Sequence, residues 1–417
     1  MIQTVSAMVD HLFRHSSGRI VASLVRQLGP RNLELAEDSV QEAIIKALRL
    51  WPYRGVPDNP EAWLRRVAYN HALDVLRREG RKQVWDPAFE RMEAGPDEDA
   101  LSMMLVCCHP AVAPEGQVAL ILKLVAGFSV PEISRAFLTS DATIYQRLRR
   151  GRRAIAARDV GRQAPDVWQS DERLDALLAA LYLLFNEGYA LSSGEQHTSR
   201  ELCDEAIRLT RLVAGWEALD RPDVDALLAL MLLQAARMAA RVGAGGEILT
   251  LEEQDRTLWD PVLIDAGLDA LNLSARGDVL TSYHLQAGIA ALHCVAPSYA
   301  ETDWHAILEH YDGLREIDGS PLIRLNRAVA IAMVDGPAAG LEALDALLAT
   351  DVLDSYALLH ATVGELAGRS GDRERALASY GRARMLVRST PERDFLDRRL
   401  AHYGNLETNF EIRRKNT

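Results

Sequence analysis

"TSDATIYQRLRRGRRAI", Thr139 to Ile155, sets five arginines (Arg147, Arg149, Arg150, Arg152 and Arg153) into a chain whose formal net charge is −12. At about 100° per residue of an α-helix, Ile144, Leu148, Gly151 and Ile155 share one narrow stripe, and Ala142, Gln146, Arg149, Arg150 and Arg153 lie opposite. One face is built to pack and the other to be presented. Just upstream, "FSVPEISRAF" offers Ser129 as a helix N-cap with Pro131 and Glu132 in the first turn. "LTSD" then gives a short break, with Ser140 or Asp141 capping the next helix. A capped helix, a three- or four-residue turn and a helix with an outward basic face spell a helix-turn-helix whose second helix suits a DNA major groove. The same helical spacing runs through the rest of the chain with no alternating β-branched run to compete, so the predicted fold class is all-α.

The basic stretch belongs to one half of an uneven charge distribution. Residues 1–155 hold 21 Lys+Arg against 18 Asp+Glu, net +3, and the remainder holds 26 against 41, net −15. Between two basic elements lies "DPAFERMEAGPDEDA", Asp86 to Ala100, with six acids, two prolines and a glycine, which reads as an exposed linker. A second break is expected at "ARDVGRQAPDVW", Ala157 to Trp168.

At 417 residues and 48% hydrophobic content the chain can fill more than one core. No window approaches the roughly 20 apolar residues of a membrane span, and the first residues lack the pattern of a secretory signal. Four cysteines (Cys107, Cys108, Cys203, Cys294) do not make a disulfide framework. A cytoplasmic protein without a membrane partner is the expectation. No cofactor or metal is expected either: "CCHP", Cys107 to Pro110, has no matching distant ligand pair and reads as buried structural cysteines. "RVGAGGEILTLEEQDR" is glycine-rich but is followed by acids and not by lysine, so it reads as a turn, and no nucleophile–base signature points to an enzyme.

The second basic element is "NPEAWLRRVAYNHALDVLRREGRK", Asn59 to Lys82. Leu64, Val67, Ala68, His71 and Val75 share one side of the predicted helix, with His71 read as a packed core histidine. Arg66, Asn70 and Arg77 line another side, flanked by Trp63 and Leu73. Cationic side chains interleaved with rings suit unstacked bases of single-stranded nucleic acid, although Trp63 taken alone reads as core.

In this order, the segments "AEDSVQEAIIKALRLWP…PDNPEAWLRRVAYNHALDVLRRE" (Ala36 to Glu79) and "HPAVAPEGQVALILKLVAGFSVPEISRAFLTSDATIYQRLRRGRRAI" (His109 to Ile155) resemble the second and fourth regions of extracytoplasmic-function sigma factors. The resemblance implies that Asp38, Gln41 and Glu42 face core RNA polymerase. It implies that Trp51 to Pro60 form the loop that captures a flipped base of the minus-ten element, with Trp63, Arg66, Asn70, Arg77 and Arg78 beside melted promoter DNA. Thr143, Gln146, Arg147, Arg149, Arg150 and Arg153 would meet the double-stranded minus-thirty-five element. A helix-turn-helix operator-binding regulator is the alternative, and it needs neither the clamp-facing helix nor the loop.

Beyond the sigma-like regions, "YALLHATVGELAGRSGDRERALASYGRARML", Tyr356 to Leu386, resembles a tetratricopeptide repeat, with Gly364, Ala376, Tyr380 and Ala383 where two helices would approach closely. With "FNEGY", "LEEQDRTLWD" and "LNRAVA", the chain resembles the sigma subgroup that carries a fused tetratricopeptide-like C-terminal domain. Such an array is a candidate surface for an unknown protein or ligand, and "LEEQDRTLWD", Leu251 to Asp260, is its one strongly polar block. The expected layout is a region-2-like domain over 1–85, an acidic linker over 86–105, a region-4-like helix-turn-helix domain over 106–158 and a helical array over 165–417.

Overall fold

The computed structural model describes residues 17–79, 96–137, 139–157, 171–190, 196–216, 219–350, 352–387 and 389–415. These are helical almost throughout, and the one β feature among them is an isolated bridge between Val242 and Ile248. The chain divides into two compact units. One holds the described residues up to Gly188 together with Asp204–Leu219, and the other holds those of Tyr189–Cys203 and from Asp220 onward.

In the first unit, α1 (17–28) leads through a 3-10 turn, Pro30–Asn32, into α2 (Leu33–Arg54), which packs against α3 (Pro60–Arg78). Each face is spaced for a helix pair. Ala36, Val40, Ala43, Ala47 and Trp51 are buried on α2, and Leu64, Ala68, Ala72 and Leu76, four residues apart, on α3. Alanine at these positions lets two backbones approach closely, while each buried leucine contributes about 1.5–3 kcal/mol of transfer free energy.

α4 (Pro96–Cys107), α5 (Pro114–Leu124), α6 (Val130–Ala136) and α7 (Asp141–Ala157) complete the basic half. α5 is the hub, with Val118 to Leu122 and Leu124 buried. α1 lies directly on it: a Cβ placed on Gly18 would stand 2.5 Å from the Leu124 carbonyl oxygen. α4 corrects the expected linker. Residues 80–95 lie outside those described, but from Pro96 the chain is helical, with Leu101, Met103, Met104, Leu105 and Val106 buried and Asp99 paired to Arg26 of α1 at 2.6 Å. The acidic run hid an apolar continuation, which is packed in the structure with Asp99 paired to Arg26. The second expected break falls largely in 158–170, also outside the described residues.

α8 (Asp171–Ala190) buries Leu174, Leu177, Leu178, Leu181 and Leu184, and Arg173 donates to the Leu105 carbonyl at 3.4 Å. Most of α9 (Gln196–Ala214) belongs to the same unit. The compact first unit thus extends past the sigma-like regions, where the layout drawn from the sequence begins its C-terminal domain at 165.

The second unit runs through α10 (Pro222–Ala235), α11 (Pro261–Ser274), α12 (Ser282–Val295), α13 (Trp304–Ile317), α14 (Pro321–Asp335), α15 (Pro337–Leu348), α16 (Ala357–Arg369), α17 (Arg373–Leu386) and α18 (Thr390–Lys415). Asp260, Asp303, Ser320 and Asp372 each accept a first-turn backbone N–H, so short capped helices follow one another. α16 and α17 form a hairpin across Gly371, whose φ of +88° explains a glycine there. At Gly364 a Cβ would meet the Tyr380 ring at 2.9 Å, so the small residue is what lets the tyrosine bury. The glycine-rich segment is a turn, with Gly243 donating to Glu247 and Gly246 at φ +83°.

Candidate nucleic-acid interface

The helix-turn-helix is built from two local caps. Ser129 Oγ accepts from Glu132 N–H while Glu132 Oε2 accepts from Ser129 N–H at 2.7 Å, a reciprocal capping box that fixes the start of α6. Ser140 then caps α7, accepting from Thr143 N–H at 3.2 Å, and Asp141 bonds back to Ser134 of α6. The two helices are thereby held in register across the turn. Ile144, Leu148, Gly151 and Ile155 are the buried residues of α7. Gly151 is needed at the crossing, because a Cβ there would stand 2.7 Å from Leu120 Cδ1 of α5.

Packing that stripe presents Gln146, Arg149, Arg150 and Arg153 to solvent as one exposed face, and Thr143 is half-buried with its hydroxyl on Ser140. The other two arginines of the run are turned elsewhere. Arg147 is half-buried, with the carboxylate of Glu187 on α8 electrostatically coupled to it. Arg152 donates to Glu37 of α2 at 2.6 Å, with both side chains mostly covered. Burial raises the Glu37 carboxyl above its ordinary value, and Arg152 and then Lys123 pull it back.

On α3, Arg66, Asn70, Arg77 and Arg78 are exposed. Arg77 makes a loose pair with Asp74 at 3.6 Å. Trp63 is half-buried and stands edge-on to Trp51 at 5.4 Å between ring centres. This corrects the expected loop from Trp51 to Pro60. α2 continues through Pro52 to Arg54, Trp51 is a buried residue of that helix, and the non-helical stretch is Gly55 to Asn59. Gly55 at φ +82° ends α2, and Asn59 accepts from Ala62 N–H to begin α3. His71 is half-buried, not a core residue, with its Nδ1 at 3.1 Å from Ser39 Oγ.

On α2, Asp38, Gln41 and Glu42 are exposed along one side, and the same side continues through Ile45 and Leu48, which are 38% and 41% exposed. The sequence reading named the polar three and missed the two aliphatics. Their three- and four-residue spacing from Asp38 and Glu42 was the available signal. Cys107 and Cys108 are buried, burial lifts both thiols, and His109 Nδ1 accepts from Ala111 N–H at 3.0 Å. Among the described residues no group of three or more potential ligands is gathered for a metal, and no helix is long and apolar enough to cross a membrane.

The outward basic helix and the α2–α3 pair coincide with two family matches. Residues 13–82 match sigma-70 region 2, residues 102–155 match sigma-70 region 4, and residues 173–275 match a family of unknown function, DUF6596. Over 157 residues, 35% of this chain and 59% of the relative, the sequence is 29% identical to ECF RNA polymerase sigma factor SigE of Mycolicibacterium smegmatis (strain ATCC 700084 / mc(2)155). Sigma-70 region 2 and region 4 thus stand in order within the first 155 residues, and with the relative they support an extracytoplasmic-function-like sigma factor of transcription initiation. More particularly, the chain is 37% identical over 386 residues to uncharacterized protein R00370 of Rhizobium meliloti (strain 1021), covering 89% of this chain and 90% of that one, and it belongs to the same family. No solved structure matches the chain.

Proposed function

We propose that the chain binds core RNA polymerase through the outer side of α2, centred on Asp38, Gln41 and Glu42 with Ile45 and Leu48, and directs it to particular promoters in the cytoplasm. Trp63, Arg66, Asn70, Arg77 and Arg78 of α3 meet melted minus-ten DNA, and Thr143, Gln146, Arg149, Arg150 and Arg153 of α7 meet the minus-thirty-five duplex, with Arg147 at its margin. The polymerase performs the chemistry. The observation that carries this reading is the exposed basic face of α7, held outward by a buried stripe in a doubly capped helix-turn-helix. A charged residue on a solvated helix face costs little, but four polar and cationic groups on one face of a fixed recognition helix match the major-groove geometry. The tetratricopeptide-like second unit acts as a control element on the promoter-reading regions, through a partner or ligand of its own.

Run-off transcription with purified core polymerase tests the proposal. The full chain should direct initiation from its own promoter, and a chain ended after Leu219 should change that rate. Promoter binding that never yields transcription with core polymerase would instead make the protein an operator-binding regulator.

A further inference from the structure

In the second unit several buried polar groups have no partner among the protein atoms: Arg237 Nε, Arg256 Nη2, Trp259 Nε1, Trp304 Nε1 and His293 Nδ1. They lie together. The guanidinium carbons of Arg256 and Arg237 are 4.4 and 5.8 Å from the centre of the Trp259 ring, and His293 stands edge-on to Trp304 at 5.3 Å. Arg237, Trp259 and His293 are each more than nine-tenths buried, at 7%, 6% and 9% exposure.

The sequence supplies acids close by, and the fold turns them away. Within "LEEQDRTLWD", Glu252 pairs with Arg369, Glu253 bonds Thr250, Asp255 accepts from Thr257 N–H, and Asp260 caps α11. Neither Arg237 nor Arg256 has an ion pair among the described residues. Arg256 is anchored by its other nitrogen, Nη1, which donates to the carbonyls of His293 and Ala296 at 2.8 and 2.7 Å, and Arg237 Nη2 donates to Gln234 Oε1. Both arginines are thus fixed in place, with further N–H groups unspent. Burial and the two guanidiniums push His293 down to about 3, so its imidazole is neutral and adds no charge.

These unspent groups are donors, apart from His293 Nδ1, whose role depends on its tautomer; they carry two positive charges, on a buried Arg237 and a half-buried Arg256, and the one unspent acceptor of the same segment is Gln254 Oε1. A buried charge is tolerated when it is paired, and a buried N–H when it meets an acceptor. The complement is a compact group made only of acceptors, with several lone pairs and two negative charges. We propose that Arg237, Arg256, Trp259, His293 and Trp304 form a binding site for a small doubly charged oxyanion, supplied either as a phosphate group or as a dicarboxylate. The two sources share the recognition chemistry and differ in shape, tetrahedral against planar.

The test uses the full chain with 15N-labelled tryptophan, titrated with inorganic phosphate and with succinate at constant ionic strength in chloride. Of the seven indole N–H signals the chain can give, two, assigned by W259F and W304F, should move and saturate, with one probe binding about tenfold more tightly than the other. The tighter probe identifies the source. R256Q should weaken that binding at least about tenfold, and W304F, which deletes one donor and leaves a smaller aromatic ring, should weaken it while the remaining signals stay in place. Equal response to phosphate, succinate and chloride, or no response, would show that water satisfies these donors and overturn the site. That outcome would leave the promoter-binding reading untouched, since none of these residues belongs to it.

Discussion

Arg152 of α7 and Glu37 of α2 form an ion pair at 2.6 Å that ties the helix proposed to read promoter DNA to the helix proposed to face polymerase. Removing either partner strands a largely covered charge, which is the expensive way to break a pair. Arg152→Ala should destabilise the chain by about 1–3 kcal/mol at pH 8, less than for a fully buried pair because both side chains keep some exposure. Its cost should shrink as pH falls: the Glu37 carboxyl is already raised by burial, loses its main counter-charge, and protonates more readily. In Glu37→Gln the unpaired group is arginine, which does not titrate, so that variant's cost should not shrink in this way. Chemical denaturation at pH 5 and pH 8 reads both, and identical pH dependence of the two variants would contradict the assignment.

The run of five arginines should not behave as a uniform patch. Arg149→Ala or Arg150→Ala should weaken binding to upstream promoter duplex by about 1–3 kcal/mol where the side chain makes a bidentate base contact, and less where it meets phosphate. Arg152→Ala, whose side chain is engaged with Glu37, should leave the salt dependence of binding near that of the wild type. Fluorescence anisotropy across a salt series separates the three.

Charge reversal at Asp38 and Glu42 should reduce co-purification with core polymerase without lowering the melting temperature, because both residues are exposed on α2. Leu48→Ser should act in the same direction, since it removes apolar surface from the same side. Full retention of polymerase by the triple variant would remove α2 as the docking face.

Gly18→Ala is expected to destabilise the first unit even though alanine is the better helix former by about 1 kcal/mol. The new Cβ would meet backbone, 2.5 Å from Leu124 O and 3.0 Å from Val125 O, and backbone cannot rotate aside as a side chain can. A loss of about 1–3 kcal/mol is expected, and a gain in the unfolding midpoint would show that α1 does not sit on α5.

His293 gives the second unit an acid-sensitive term. Its folded value, about 3, lies below the ordinary histidine value of 6.5, so between these two the unfolded chain takes up a proton that the folded chain refuses. Stability contributed this way is present above pH 6.5 and is lost on acidification at up to about 1.4 kcal/mol per pH unit. His293→Gln should flatten that part of the profile, measured in chloride buffer; an unchanged slope would mean that the imidazole is solvated.

The helix-turn-helix was legible in the sequence because its determinants are local: the stripe from Ile144 to Ile155, and the caps at Ser129 and Ser140, act within a few residues of one another. The exposed positions on α3 followed from the same periodicity, whereas Asp38, Gln41 and Glu42 on α2 were named through the family resemblance. Long-range pairing was not legible. That Arg152 is withdrawn from the exposed face was decided by Glu37, 115 residues away in sequence. Asp86 to Ala100 looked like a solvated linker, yet α4 is packed in the structure with Asp99 paired to Arg26. The family resemblance put Trp51 in a loop, yet Trp51 is buried, stands edge-on to Trp63 of α3, and lies within a helix that runs to Arg54. The "LEEQDRTLWD" block was visible as polar, but only the tertiary structure spent its acids on caps and distant arginines and left Arg256 and Trp259 unsatisfied beside Arg237 and His293. Periodicity fixes which face of a helix is apolar; the counter-charge that each buried ion receives depends on chain segments that only folding brings together.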